Sequence, residues 1–200
     1  RPSWGYQKLL RQRLSTARAA VDLETGGGEV LAGAGPFPPT MAATEAWPPN
    51  LALATERLHP LGAVVVATGS TAGLPFGDNC FDLVTSRHPV SLRWPEVARI
   101  LAPGGSYFAQ HVGPRSLLEL IEYFLGPQVT ADTREQDVAG SAAAAGLKVV
   151  DLRHEQIRVE FFDIGAVVYF LRKVIWAVPD FSVAKYLDQL LALHQKILAE

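Results

Sequence analysis

Short runs of small and β-branched apolar residues recur along the chain, each cut off by glycine, proline or a polar turn and followed by a helical pattern. The runs are Ala19–Leu23, Thr40–Thr44, Ala63–Ala67, Phe81–Ser86, Ser106–Val112 and Leu147–Leu152, the last continuing in one reading as Gln156–Phe162. Strands that alternate with helices predict a mostly parallel α/β sheet with right-handed crossovers and helices on both faces. The helical segments are Tyr6–Ala19, Glu29–Ala34, Asn50–Leu58 behind Pro48-Pro49, Trp94–Leu101, Ser116–Phe124 and Arg134–Ala145. From Asp163 onward the pattern is helical only: Val167, Phe170, Leu171 and Val174 share one face, and Tyr186–Leu198 follows a Pro179-Asp180 break.

Composition narrows the class of chain. Two hundred residues suit one domain with an appended helical piece. Eighteen Lys and Arg against 20 Asp and Glu give no global basic field, which points away from nucleic acid. One cysteine, Cys80, builds neither a disulfide framework nor a thiolate cage, and no His/Cys/Asp/Glu cluster has metal spacing. The expectation is a cytoplasmic chain without a membrane span or a metal, either monomer or homodimer. A start at Arg1 without methionine predicts that the coding sequence begins upstream.

In an open α/β sheet the chemistry gathers beyond the carboxyl ends of the strands, at the point where strand order reverses. After the first strand comes Asp22-Leu23-Glu24-Thr25-Gly26-Gly27-Gly28-Glu29, whose glycines let backbone approach a ligand closely. Roughly 20 residues further on, after the second strand, stands Glu45, where a carboxylate can accept from ribose hydroxyls. Together these features indicate a nucleoside-bearing cofactor. A dinucleotide fingerprint is incomplete, since Leu31 stands where its last glycine belongs, and no phosphate-loop motif occurs.

Val21–Glu29 resembles motif I of the class I S-adenosylmethionine-dependent methyltransferases. Glu45 falls at that family's ribose-binding acid. Gly73–Val84 resembles its LPF…FD segment, and Glu96–Gly105 resembles its E-x-x-R-V-L-x-P-G-G helix and turn; in all, the likeness covers about residues 19–112. The resemblance implies a Rossmann-like sheet that binds S-adenosyl-L-methionine. It places Thr25, Gly26 and Gly28 beneath the methionine moiety, with Asp22 near its amino group. It also places Glu45 and the adjoining Ala46 on the ribose, Trp47 against the adenine, and Ser70 and Thr71 where the adenine amino group is read. Ser86, Arg87 and His88 would border the methyl and its acceptor.

Two positions depart from the pattern. Glu24 replaces the motif's first glycine, and Ser70 replaces an acid. The family's sheet also closes with a seventh, antiparallel strand; either Gln156–Phe162 supplies it or it lies beyond Glu200, and the second alternative is the expectation. His88 and His111, at adjacent strand ends, are the candidate general bases. Residues 1–162 are thus expected to form the cofactor-binding domain and residues 163–200 a helical lid or cap. The expected activity is methyl transfer by in-line displacement to a small-molecule acceptor. A degenerate, non-catalytic binding module and an RNA methyltransferase are the alternatives.

Overall fold

The strand β1 (Ala19–Leu23) is buried from Ala20 onward because it lies in the middle of a sheet and is covered on both faces. The computed structural model describes residues 2–69, 73–90, 92–113, 115–128 and 138–199. Its sheet has five strands, β1 with β2 (Thr40–Glu45), β3 (Val64–Ala67), β4 (Phe81–Arg87) and β5 (Leu101–Gln110). The order is β3-β2-β1-β4-β5, and every pairing is parallel. The chain runs outward from β1 to β3, then returns to β1's other side and runs outward again. Strand order therefore reverses between β1 and β4, where Leu23 pairs with Ser86.

Strand alternation sorts the core into two layers. Ala20, Met41, Ala43 and Leu83 join Tyr6, Leu10 and Leu14 of α1 (Tyr6–Leu14) and Ala54 and Leu58 of α3 (Pro48–Leu58) on one face. Val21, Ala42 and Val84 join Val97 and Ile100 of α4 (Trp94–Ile100) on the other. Leu10 and Leu14 are about 1% exposed, and each such leucine contributes about 1.5–3 kcal/mol. Between β1 and β2 lies α2 (Glu29–Ala32), a single turn.

Arg99 on α4 suspends the loop that precedes β4. Its guanidinium donates to the carbonyls of Leu74 and Phe76 and pairs with Asp78 at 2.9 Å and with Glu96 at 2.8 Å. Glu96 in turn accepts from the Leu74 amide at 2.7 Å. Hydrogen bonding from Arg99 holds the Glu96 carboxyl down to about 2. A carboxyl held low only in the folded chain stabilises it fully above the ordinary value of 4.5 and loses that contribution as pH falls toward 2. Arg99→Leu is expected to lower stability by about 2–4 kcal/mol. In urea titrations the wild type's loss of stability between pH 4.5 and 2 should be visibly reduced in the variant; equal slopes would refute the assignment.

Several expected boundaries shift. The first helix ends at Leu14 rather than Ala19, because the Ser15 and Thr16 hydroxyls turn back to the carbonyls of Gln12 and Arg13. The strand expected at 106–112 begins at Leu101 and ends at Gln110, with a register irregularity over the proline-glycine turn. No strand forms at Leu147–Leu152 or Gln156–Phe162. Charges fall between the apolar residues there and pair within the segment, Arg153 with Asp151 and Arg158 with Glu160. Val150 and Leu152 are 86% and 68% exposed. Where a helix is expected at 134–145, Val138–Ala144 form α6, and residues 134–137 lie outside the described residues.

The described residues divide into two compact units. The first takes the residues up to Val112 and those from Val138 to Glu155, and contains the whole sheet. The second takes 113–128 and 156–199: α5 (Leu118–Leu125), α7 (Ile164–Lys173) and α8 (Leu187–Ala199) pack Phe124, Val167, Leu171, Tyr186 and Leu190 into a core of their own. Asp163 caps α7 by accepting from the Ala166 amide at 2.7 Å. No described helix is long and apolar enough to cross a membrane.

Candidate functional site

The carboxyl ends of β1, β2 and β4 bring the glycine turn and Glu45 together. The Gly26 amide donates to Glu45 Oε2 at 2.8 Å, and the amides of Ala46 and Trp47 donate to Oε1, each at 2.9 Å. Three backbone donors thus converge on one buried carboxylate, which offers about four acceptor directions, so one remains. The Thr25 amide reaches the Thr44 carbonyl at 2.9 Å and draws the turn toward β2. From the far side Arg57 of α3 donates to the Gly27 carbonyl and pairs with Glu29.

The glycines of the turn do different work. Gly26 has φ +64°, and a β-carbon there would meet nothing within 4 Å. Gly28 has φ +79°, and a β-carbon there would lie 3.0 Å from the Leu58 side chain and 3.4 Å from the Ala54 α-carbon. Gly26 opens onto free space, whereas Gly28 lets α3 pack close.

A cavity of about 180 Å³ lies beside the turn, lined among others by Tyr6, Asp22, Glu24, Thr25, Gly26 and Arg87. That is below the roughly 300–1,000 Å³ of a whole small-molecule pocket and suits a fragment the size of an amino acid. Asp22 accepts from the Thr85 hydroxyl at 2.5 Å, and burial pushes its carboxyl above the ordinary range. Glu24, in the left-handed region at φ 55°, takes the Val90 amide at 2.6 Å, so its side chain crosses to the loop after β4. The Thr25 and Ser86 hydroxyls are buried without a well-formed hydrogen bond, although Asp22 and Tyr107 lie near enough to feel them. Trp47 stands 60% exposed beyond Glu45. Ser70 and Thr71 lie outside the described residues.

His88 and His111 do stand at adjacent strand ends, one residue past β4 and β5. The His88 ring, at positive φ, keeps an exposed face; burial of the rest, the Arg87 guanidinium and His111 hold its pKa down to about 4. Burial also lowers that of His111, whose Nε2 lies 3.5 Å from the Tyr107 hydroxyl and whose ring stacks on Trp94. Both imidazoles are therefore uncharged at neutral pH.

Four residues of this region escape a motif reading. Tyr6 stacks on Phe108 and donates to the Ser86 carbonyl at 3.1 Å, making α1 a wall of the cavity. Thr85 holds Asp22, and Trp4 and Gln110 reach toward His88. Of these, the sequence singles out Trp4 and Tyr6, as aromatics that either close over the site from the N-terminal helix or anchor it, with anchoring the expectation.

A family model described as a methyltransferase domain matches residues 21–109, the segment that carries β1 through nearly all of β5. No curated protein matches the chain. Solved structures do. The protein solved with the Trm112 methyltransferase activator of Haloferax volcanii is 20% identical, over 74% of this chain and 70% of that one, at a TM-score of 0.57. A Galdieria sulphuraria protein described as a sarcosine dimethylglycine methyltransferase is 15% identical, over 96% and 78%, at 0.56. A Bacillus halodurans protein described as a methyltransferase is 19% identical, over 68% and 67%, at 0.52. The chain spans 55% of the length of another relative, the Bacillus subtilis YcgJ protein. At these identities the likeness is one of fold, and the fold is the Rossmann-like one of class I methyltransferases.

Proposed function

We propose that this chain is a class I S-adenosylmethionine-dependent methyltransferase that binds S-adenosyl-L-methionine at the β1–β4 crevice and methylates a small-molecule acceptor, a reading supported by the domain match over residues 21–109 and by the fold. The observation that carries the reading is the 2.8 Å bond between the Gly26 amide and Glu45, which puts close-approach backbone and a ribose-accepting carboxylate at one spot. When bound, the cofactor supplies a methyl group on a sulfonium whose leaving group is a neutral thioether. The residues present fit it. Asp22 and Glu24 line the cavity and offer carboxyl oxygens to a methionine ammonium, and the Thr25 hydroxyl beside them adds a further hydrogen-bonding group. Glu45's remaining acceptor direction takes a ribose hydroxyl, and Trp47 offers a face for adenine. Ser70 and Thr71 belong to the same proposal.

Holding the reacting atoms in line is the protein's main contribution, worth about 7–11 kcal/mol in well-oriented systems. An acceptor that must shed a proton needs a base, and uncharged His88 and His111 stand at the strand ends where one would act. The nearly balanced charge supports a small acceptor over RNA. Glu24 is the observation that favours the second reading, a binding module without turnover, because it fills a glycine position of the turn with a charged side chain.

Isothermal titration with S-adenosylmethionine tests both. Binding in roughly the 1 μM–1 mM range of ordinary substrates is expected. No heat and no thermal shift at millimolar ligand would end the methyltransferase reading.

A further inference from the structure

The Trp4 indole has one polar hydrogen and no acceptor, so its 3.3 Å contact with Gln110 Oε1 can run in one direction only. That fixes the Gln110 amide, whose other end, Nε2, is a donor. It lies 2.9 Å from Nε2 of His88. A donor at that distance requires a bare nitrogen, and a neutral imidazole with a bare Nε2 carries its single proton on Nδ1. We infer that Trp4 and Gln110 are positioning residues that lock His88 as the Nδ1–H tautomer, so that His88 serves the site as a hydrogen-bond donor and not as a base through Nε2.

Gln110 is suited to this. It is 9% exposed at the last position of β5, and its backbone carbonyl accepts from the His88 amide at 2.7 Å. Main chain and side chain of one glutamine thus grip one histidine, and the N-terminal segment sets the direction of the side-chain bond. Among the described residues, the charged and titratable groups that act on the ring are Arg87 on its own strand and His111 beyond β5; both oppose a positive imidazolium, as does burial. Protonating Nε2 would also set an N–H against the Gln110 amide hydrogens. The assignment divides labour between the two histidines: proton acceptance passes to His111, beside the Tyr107 hydroxyl, while His88 presents Nδ1–H.

The catalytic meaning rests on the methyl-transfer reading; the tautomer does not, and the test keeps them apart. Long-range ¹H–¹⁵N spectra of the full chain with labelled histidine, His88 being assigned by its loss in His88→Gln, should show a bare Nε2, a protonated Nδ1 and a titration midpoint near 4. Gln110→Glu replaces the donor with an acceptor and a charge. The tautomer should invert to Nε2–H, and the midpoint should rise past the ordinary 6.5. Trp4→Phe frees the amide, so mixed tautomers and a midpoint displaced toward 6.5 are expected; this variant also serves if Gln110→Glu fails to fold. A protonated Nε2 in the wild type, or ring signals unmoved in both variants, overturns the inference. Calorimetry with S-adenosylmethionine on the same samples reports separately: a locked tautomer without ligand binding would refute methyl transfer alone.

Discussion

Glu45→Ala should lose both stability and ligand affinity, because one carboxylate serves two purposes. In the folded chain it accepts from the amides of Gly26, Ala46 and Trp47. Hydrogen bonds to a charged group are worth about 1.5–3 kcal/mol each, but water reaches part of a turn opened by truncation. A net loss of about 2–4 kcal/mol is expected, or roughly 5–15 °C in Tm for a chain of this size. Below the melting transition the dissociation constant for S-adenosylmethionine should rise at least about tenfold, the equivalent of one charge-assisted bond. Glu45→Gln keeps the shape while turning an amide group toward amide donors, so it should share much of both losses. A folded Glu45→Ala protein with unaltered affinity would remove the ribose assignment.

Alanine at Gly28 and at Gly26 should separate packing from binding. At Gly28 the positive φ costs a side chain about 1–2 kcal/mol, and the new β-carbon meets Leu58 at 3.0 Å with the Ala54 backbone close behind. Overpacking adds about 1–3 kcal/mol, so Gly28→Ala should lose about 2–5 kcal/mol by chemical denaturation. Gly26→Ala carries the same backbone penalty and no clash. Its stability should fall by only about 1–2 kcal/mol, while its methyl group occupies the space left for a ligand. The ratio of affinity loss to stability loss should therefore be larger at Gly26. If Gly26→Ala binds normally, backbone approach at that turn is not part of recognition.

The sheet was legible where small and β-branched apolar residues cluster and few polar ones interrupt them, as in Ala19–Leu23 and Phe81–Ser86. It was not legible at 147–162, because periodicity records which residues suit a strand and not whether a neighbour is there to pair with. The end of α1 was missed for a local reason: Ser15 and Thr16 compete for the carbonyls that a longer helix would use. At the site, the meeting of the glycine turn with Glu45 followed from topology alone, since the turn follows β1 and Glu45 ends β2, and those strands are adjacent. What sequence could not give is how side chains divide the work. Gly26 and Gly28 look alike until α3 is in place beside one of them. Trp4 and Gln110 stand 106 residues apart and meet only because the N-terminal segment lies over the end of β5.

Glu24 lines the cavity, yet what steadies its carboxylate on one side is the Val90 amide, which belongs to the connection after β4. One wall of the hollow is thus set by Val90, which is not itself among the described residues that line it. Changing the length of that connection around Pro89 would redraw the interior from outside, so the shape a ligand meets can be retuned by insertion or deletion while every residue facing it stays the same.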